Sequence, residues 1–575
     1  MFRKYNSHLQ PSLFSTAQQL PKTVRDRLER SWAPVFRRHI FENIDEGRYA
    51  VLYSGECSRP NFPVNVLVSL DIIKWLFDYT DEDLLDQFHF NLLTAYALGQ
   101  EELGHLTLCP RTLYNFRERI LEYEARTGIN LLNEEFKTIG KKTIDEFCVN
   151  AKIQRMDSSL VGSFIKRMSR LEMLVKVLQN FYRDLPAKEQ ELWKERLSDY
   201  TESDPDHITF RLKRKDIAKH LEQVGSLLFE IHKAYQDDDG ITGLKSYQHV
   251  RRVLMEQYDI TVDEEKTEIN VKAGKVSTDS LQNPADDEAT YRKKGAKESQ
   301  GYLLNVTETC AEDSPLQIIT DVSVHKNNES DAEILAERIP EIKERTGVEE
   351  MITDAAYAGE TSEKACERAD VNLIPTEIRG RKESEDQTPL RAFIFDKNHR
   401  LVSCPRGEAP IHYCYKEKTG RHVVHFSLEQ CRKCPFLGVC RVQKRKKFYS
   451  LIYTDRQTLL ALRRQQLSED SYRQKCRLRP AVEGTISQFK RTMPNGKLKV
   501  RGLKRGRNTC ILRAMAINFK RVMSYLQDDM AEYVNSLKSS ALTSINKAVL
   551  YDFPELMLSW IGFGTRNQIA LNKAA

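Results

Sequence analysis

Three acidic residues and a long run of cations hold the chemistry that can be read from this chain. Glu483 stands in the segment RPAVEGTISQFK, and no other Asp or Glu follows it before Asp528, whereas Lys490, Arg491, Lys497, Lys499, Arg501, Lys504 and Arg505 do. A lone carboxylate in such a field suits a divalent metal held against a nucleic-acid phosphate. The carboxylate binds Mg²⁺ or Mn²⁺, and the surrounding Lys and Arg side chains bind the polyanion. Far upstream, Asp157 and Asp354 close two strand-like runs, VNAKIQRMD and EEMITD. Two aspartates at adjacent strand ends and a glutamate on a packed helix can share two metal ions. Such ions, roughly 3.5 to 4 Å apart, serve phosphoryl transfer by activating the attacking oxygen and stabilising the leaving one. Taken singly, Asp157 and Asp354 read equally well as helix caps, and Glu483 as solvated helix surface. The triplet in this element order is the specific signal.

A second cluster is sulfur-based. CRKCPFLGVC supplies Cys431, Cys434 and Cys440, and CPRG supplies Cys404. Four thiolates suit a closed, tetrahedral, structural Zn²⁺, which has no open position for catalysis. Cys414, His412, His422 and His425 are alternative ligands, and a set of unligated reduced cysteines is the plainer alternative.

The elements that must position these residues follow from the apolar patterning. Up to about residue 140 the chain reads as helical: Pro63 precedes VNVLVSLDIIKWLF, Thr80 and Asp83 make an approximate capping box, and Pro110 opens RTLYNFRERILEYE. These helices suit DNA contact and packing or dimerisation equally. A strand is expected to end at Asp157, followed by a helical insertion over about 160–258, where Leu171, Leu174, Val175 and Leu178 recur at helical spacing. QGYLLNVTETC and PLQIITDVSVH read as a hairpin, Ser330 to Arg345 as a helix capped by Ser330, and EEMITD and VNLIP as further strands. A second insertion from Arg379 carries a hairpin, RAFIFDKNHRLVS, and the cysteines. On the helix of Glu483, Lys490 lies about 20° from the acid at about 100° per residue, while Val482, Ile486 and Phe489 form an apolar stripe roughly 90° away. Pro480 belongs in the first turn of that helix, with Arg479 just outside it. Ile511 to Leu526 reads as an amphipathic helix.

With 575 residues, the chain divides into several folding units. The expected parts are an N-terminal helical domain over 1–140, an α/β core over 141–377 that carries the helical insertion, a cysteine-rich zinc-binding insertion over 378–450, a core continuation over 451–527 and a tail over 528–575. The net charge of +7 is modest, so any affinity for nucleic acid rests on local clusters in the C-terminal half. No apolar run is long enough for a membrane span, and the N-terminus lacks a signal-peptide core, so the expected location is cytoplasmic with no membrane partner. Twelve cysteines, five of them between Cys404 and Cys440, suit a metal site in a reducing compartment.

The order of QRMDSS, MITDAAYAGE and the R-x3-E-x6-K run formed by Arg479, Glu483 and Lys490 resembles that of the bacterial insertion-sequence DDE transposases, over about Asn61 to Leu526. The full motif of that family has a Tyr where this chain has Cys476; Tyr472 is near but out of register. The resemblance implies a ribonuclease H-like catalytic core behind an N-terminal helical domain, in a nucleoid-associated bacterial enzyme. It implies that Asp157, Asp354 and Glu483 hold two Mg²⁺ or Mn²⁺ ions for cleavage at transposon ends and strand transfer into target DNA. Arg479 and Lys490 are then expected to position phosphates, Arg491, Lys497, Lys499, Arg501, Lys504 and Arg505 to track the backbone of double-stranded DNA, and a homodimer to form on DNA. A cysteine cluster between the second Asp and the Glu also occurs in some members of that family. Two other readings share these residues: a non-catalytic DNA-binding protein derived from a transposase, and a sequence-independent nuclease of the same fold.

Overall fold

The computed structural model describes residues 1–544 apart from 10–14, 56–58, 101, 211, 214, 263–266, 275 and 379–385, with side chains described as far as 528. Arg379, where the second insertion was expected to begin, and residues 545–575 of the expected tail lie outside the described residues.

The centre is a six-stranded mixed sheet of β1 (Ile153–Gly162), β2 (Thr290–Lys294), β3 (Lys297–Thr309), β4 (Ile319–Lys326), β5 (Glu350–Thr353) and β6 (Asn372–Pro375). β3 lies antiparallel to β1, β2 and β4, whereas β1, β5 and β6 run parallel. The hairpin read from QGYLLNVTETC and PLQIITDVSVH is β3 and β4. β1 does not stop at Asp157: Ser158 to Gly162 continue the ladder against Asn305 to Gly301. Where β3 passes from β1 to β2, Gly301 adopts φ +152, and a Cβ there would sit 2.4 Å from the Val161 carbonyl oxygen. Only glycine permits that approach.

Strand alternation gives the sheet two faces. Met156 and Met351 point to one face and pack on Leu335, Ile339 and Ile342 of a helix over Asp331–Thr346. Ser330 is the N-cap of that helix, as expected, although its side chain makes no cap hydrogen bond. Val161, Tyr302, Leu304 and Val306 point to the other face and join one continuous core with the N-terminal helices and the C-terminal helix. In that core, α1 (Val64–Phe77) is buried on nearly all sides, and α2 (Pro110–Thr127) and α3 (Leu131–Glu146) contribute residues to the same core. The Thr80–Asp83 capping box forms, and Pro110 stands at the first turn of α2.

The helical insertion has its own core of Leu174, Leu178, Phe181, Val224, Leu228 and Val250. Its helices run from Arg170 to Gln257, and the excursion then continues through an antiparallel pair, Tyr258–Val262 and Thr267–Val271, before the chain re-enters the sheet at Thr290. The polar composition of 259–289 hid that extension. The cysteine-bearing insertion holds the expected hairpin, Ile394–Phe395 with Leu401–Ser403, and a four-stranded antiparallel sheet of β7 (His412–Lys416), β8 (Arg421–Ser427), β9 (Gln443–Lys444) and β10 (Phe448–Thr454). It has a core as well, built on Leu390, Phe393, Val424, Phe426, Tyr449, Leu451 and Tyr453.

The helix of Glu483 is α4 (Ala481–Lys490), with Pro480 as its N-cap; Val482, Ile486 and Phe489 are buried, as the wheel requires. The final helix, α5 (Leu503–Ser544), is much longer than the expected Ile511 to Leu526. The first half of the expected span is not amphipathic: every residue from Asn508 to Ile517 is buried, because α5 passes between α1, α3 and β4, whereas beyond it Phe519 and Val522 are buried and Lys520 and Ser524 exposed.

Candidate active site

The register of the parallel pair brings the two aspartates near each other. The pairing ends with Arg155 level with Ile352; Asp157 follows two residues on along β1 and Asp354 just past the end of β5, near enough for the Asp354 charge to act on Asp157. Both lie on the sheet face that carries α4, with neighbouring strands about 4.8 Å apart. Asp157 is buried, and burial raises its carboxyl above the ordinary range; the Arg479 charge opposes that shift and the Asp354 charge adds to it. The Asp354 Oδ1 accepts from the Ala356 amide at 2.5 Å, fixing the carboxylate at the strand end.

Glu483 arrives from the helix side. The Arg479 guanidinium joins the sets: Nη2 donates to Asp157 Oδ2 at 2.9 Å, and Nη1 donates to Glu483 Oε1 at 2.8 Å. Burial alone would lower the Arg479 pKa, but the charges of Asp157, Asp354 and Glu483 raise it. Glu483 keeps 63 % of its side chain exposed, so its remaining oxygen faces solvent and whatever approaches from it. At the far end of α4, Lys490 Nζ donates to Ser159 Oγ at 2.5 Å, two residues beyond Asp157.

Among the described residues no group of three or more His, Cys, Asp or Glu is drawn tightly enough together to hold a metal ion. In the acid set, the Arg479 guanidinium takes up the space between Asp157 and Glu483. The donor chemistry nevertheless fits a hard divalent cation: the oxygens come from three carboxylates, and the site already depends on a positive charge to offset the burial of Asp157.

The four sequence-selected cysteines share one neighbourhood. Cys404, Cys431, Cys434 and Cys440 border one cavity with Phe426 and Leu437. Burial and the neighbouring Cys440, Cys404 and Cys434 push the Cys431 thiol up to about 11. The alternative ligands lie elsewhere. His422 bonds Tyr413 and Asp455 at 2.7 and 2.5 Å, His412 and His425 pair across β7 and β8, and Cys414 is exposed. A soft cation at the four sulfurs would relieve their mutual repulsion, which is the electrostatic case for Zn²⁺ there.

The basic run is less free than its composition implies. Lys499 pairs with Asp78 at 3.1 Å, Arg505 with Glu118 at 2.7 Å and Arg507 with Glu124 at 3.0 Å, so the N-terminal helices supply the acids that the segment itself lacks. Lys497 Nζ and Arg501 Nε donate to the carbonyls of Ile165 and Phe164. Arg491 and Lys504 make no side-chain hydrogen bond or ion pair among the described residues. Tyr472 is turned towards the sheet, where its hydroxyl donates to the Pro375 carbonyl, and Cys476 is packed in the same apolar cluster.

Sequence reasoning missed the group that seats α4. Glu308, fully buried on β3, binds Arg155, Thr485 and Arg521. An acid within a strand otherwise rich in apolar and Thr residues, QGYLLNVTET, was the available signal.

No curated protein and no solved structure matches this chain. Among the described residues no helix is long and apolar enough to cross a membrane. A match to a family model described as a transposase DDE domain covers residues 403–523, a stretch that includes the cysteines, Arg479, Glu483 and Lys490 but neither aspartate. That match assigns residues 403–523 to a transposase DDE domain, and together with the mixed α/β sheet it fits a ribonuclease H-like core.

Proposed function

We propose that the chain cleaves DNA at the ends of a mobile element and transfers the strand into target DNA, with Asp157, Asp354 and Glu483 as the metal-binding acids. The observation that carries this reading is the register that brings Asp157 near Asp354, with Arg479 linking Asp157 to Glu483. Two divalent ions held by these acids would activate water or a 3′-hydroxyl and stabilise the leaving oxygen. The chain's own residues bind and orient. Arg479, anchored by Asp157 and Glu483, is placed to take a phosphate oxygen when a cation takes over the acids. Lys490 supplies a second positive charge along the same helix flank. Arg491 and Lys504 are free to meet backbone phosphates, and Lys497, Lys499, Arg501 and Arg505 extend the positive surface while bracing it internally. The cysteine turn holds a structural Zn²⁺, and two copies of the chain join on DNA to bring two ends together.

The test is metal-dependent cleavage of DNA carrying the repeats that flank the coding region. Asp354→Asn should abolish cleavage and leave end binding largely intact; cleavage retained by that variant would remove Asp354 from the site. End binding without cleavage by the unaltered protein would fit a non-catalytic derivative instead.

A further inference from the structure

We propose that Glu308 is a positioning residue for the acid set, acting through Thr485 and Arg155 to fix the Glu483 helix on the strand of Asp157. The proposal rests on the reading of Asp157, Asp354 and Glu483 as metal-binding acids. Arg155 pairs with Glu308 across β1 and β3, and Asp157 pairs with Val306 on the same face, so this carboxylate lies one alternation step from the acid itself. Glu308 is fully buried, and all of its acceptor capacity is used. Oε1 receives Arg155 Nε and Nη2, each at 2.7 Å; Oε2 receives Thr485 Oγ1 at 2.7 Å and Arg521 Nη2 at 2.8 Å. Arg521 comes from α5 and also bonds Thr485 at 2.5 Å.

The placement of the two outer contacts gives the network its role. Thr485 stands two residues after Glu483. Arg155 Nη1 donates at 2.7 Å to the carbonyl of Leu478, the residue before Arg479. One buried carboxylate therefore anchors the chain on both sides of the Arg479–Glu483 pair, through the Thr485 hydroxyl after it and, by way of Arg155, the Leu478 carbonyl before it. A stability role alone would need no such bracketing. Supporting bonds of this kind typically change metal affinity by about 10- to 100-fold when lost.

The experiment titrates the full-length protein with Mn²⁺ in the absence of DNA, following free Mn²⁺ by electron paramagnetic resonance, with thermal midpoints recorded alongside. Glu483→Gln should abolish the strongest binding. Thr485→Val, nearly isosteric, should weaken it at least about tenfold with an ordinary thermal midpoint, and Thr485→Ser should restore it. Arg155→Lys, which keeps the charge but cannot serve both Glu308 and Leu478, should weaken it too and carries the test if Thr485→Val does not fold. Unchanged Mn²⁺ affinity in the folded Thr485→Val or Arg155→Lys protein, against loss in Glu483→Gln, would overturn the positioning role alone. Unchanged affinity in Glu483→Gln would overturn the underlying reading of the acids.

Discussion

Arg479 donates to Asp157 at 2.9 Å across 322 residues of sequence, and it does so from the turn that precedes the Glu483 helix. The guanidinium is therefore a resident counter-charge for a buried acid that lies beside a second acid. Arg479→Gln leaves Asp157 next to Asp354 with that charge gone. Its cost without metal should be on the order of 2 kcal/mol, below the full penalty for a deeply buried pair because the arginine is partly exposed. Added Mg²⁺ should then raise the thermal midpoint of the variant more than that of the unaltered protein, in which the ion must displace the guanidinium. Equal shifts in the two proteins would show that Arg479 and the cation do not compete.

The cysteine turn should hold zinc. Protein purified under reducing conditions is expected to contain it by elemental analysis, and Cys434→Ser to lose it. The neighbouring β-sheet has a core of its own in Val424, Phe426, Leu451 and Tyr453, so a chelator should expose the turn around 428–447 to proteolysis while β8 and β10 persist. Collapse of the whole insertion on chelation would show that the metal, and not the apolar core, holds it together.

Salt dependence separates free cations from braced ones. Arg491→Gln and Lys504→Gln should each lower the slope of log affinity for DNA against log salt by about one. Lys499→Gln and Arg505→Gln should change it less, since these side chains begin in ion pairs with Asp78 and Glu118. Equal effects at all four positions would mean that the pairs open on binding.

How far the sequence could be read depended on range. The capping box at Thr80 and the apolar stripe of α4 are local patterns, and they were legible; the end of β1 was not, since the strand runs five residues past Asp157 to Gly162. Spacing alone picked out Cys404, Cys431, Cys434 and Cys440, and these four border one cavity. The partners of the basic run were not legible: Lys499 and Asp78 are 421 residues apart, and no periodicity links them. The burial of α5 was hidden for the same reason, since Arg513 and Asn518 look like a polar face until α1 and β4 cover them. Arg513 packs over Trp75 at 4.3 Å and Asn518 bonds the backbone of Ile319. Glu308 is the clearest loss, an acid in a strand whose three partners come from three other elements.

A buried clamp on the opposite face has a pH signature. Burial alone would raise the Asp321 carboxyl, but Arg338 and Arg345 hold it below the ordinary value. Its stabilising contribution is thus complete above the unfolded pKa of about 3.9 and is lost as pH falls through the lower folded value. Asp321→Asn should cost about 3 to 5 kcal/mol near neutrality, and the gap to the unaltered protein should narrow in strong acid. Urea unfolding at the two pH values checks this, and a gap that is constant or widens with acid would contradict it.

The most direct measurement is a crystal structure grown with Mn²⁺ and collected to show its anomalous signal. The account predicts manganese bound by carboxylate oxygens of Asp157, Asp354 and Glu483 at about 2.0 to 2.6 Å, with the Arg479 guanidinium moved off at least one acid. Manganese found elsewhere, or an Arg479 that still bridges Asp157 and Glu483 at saturating metal, would contradict it.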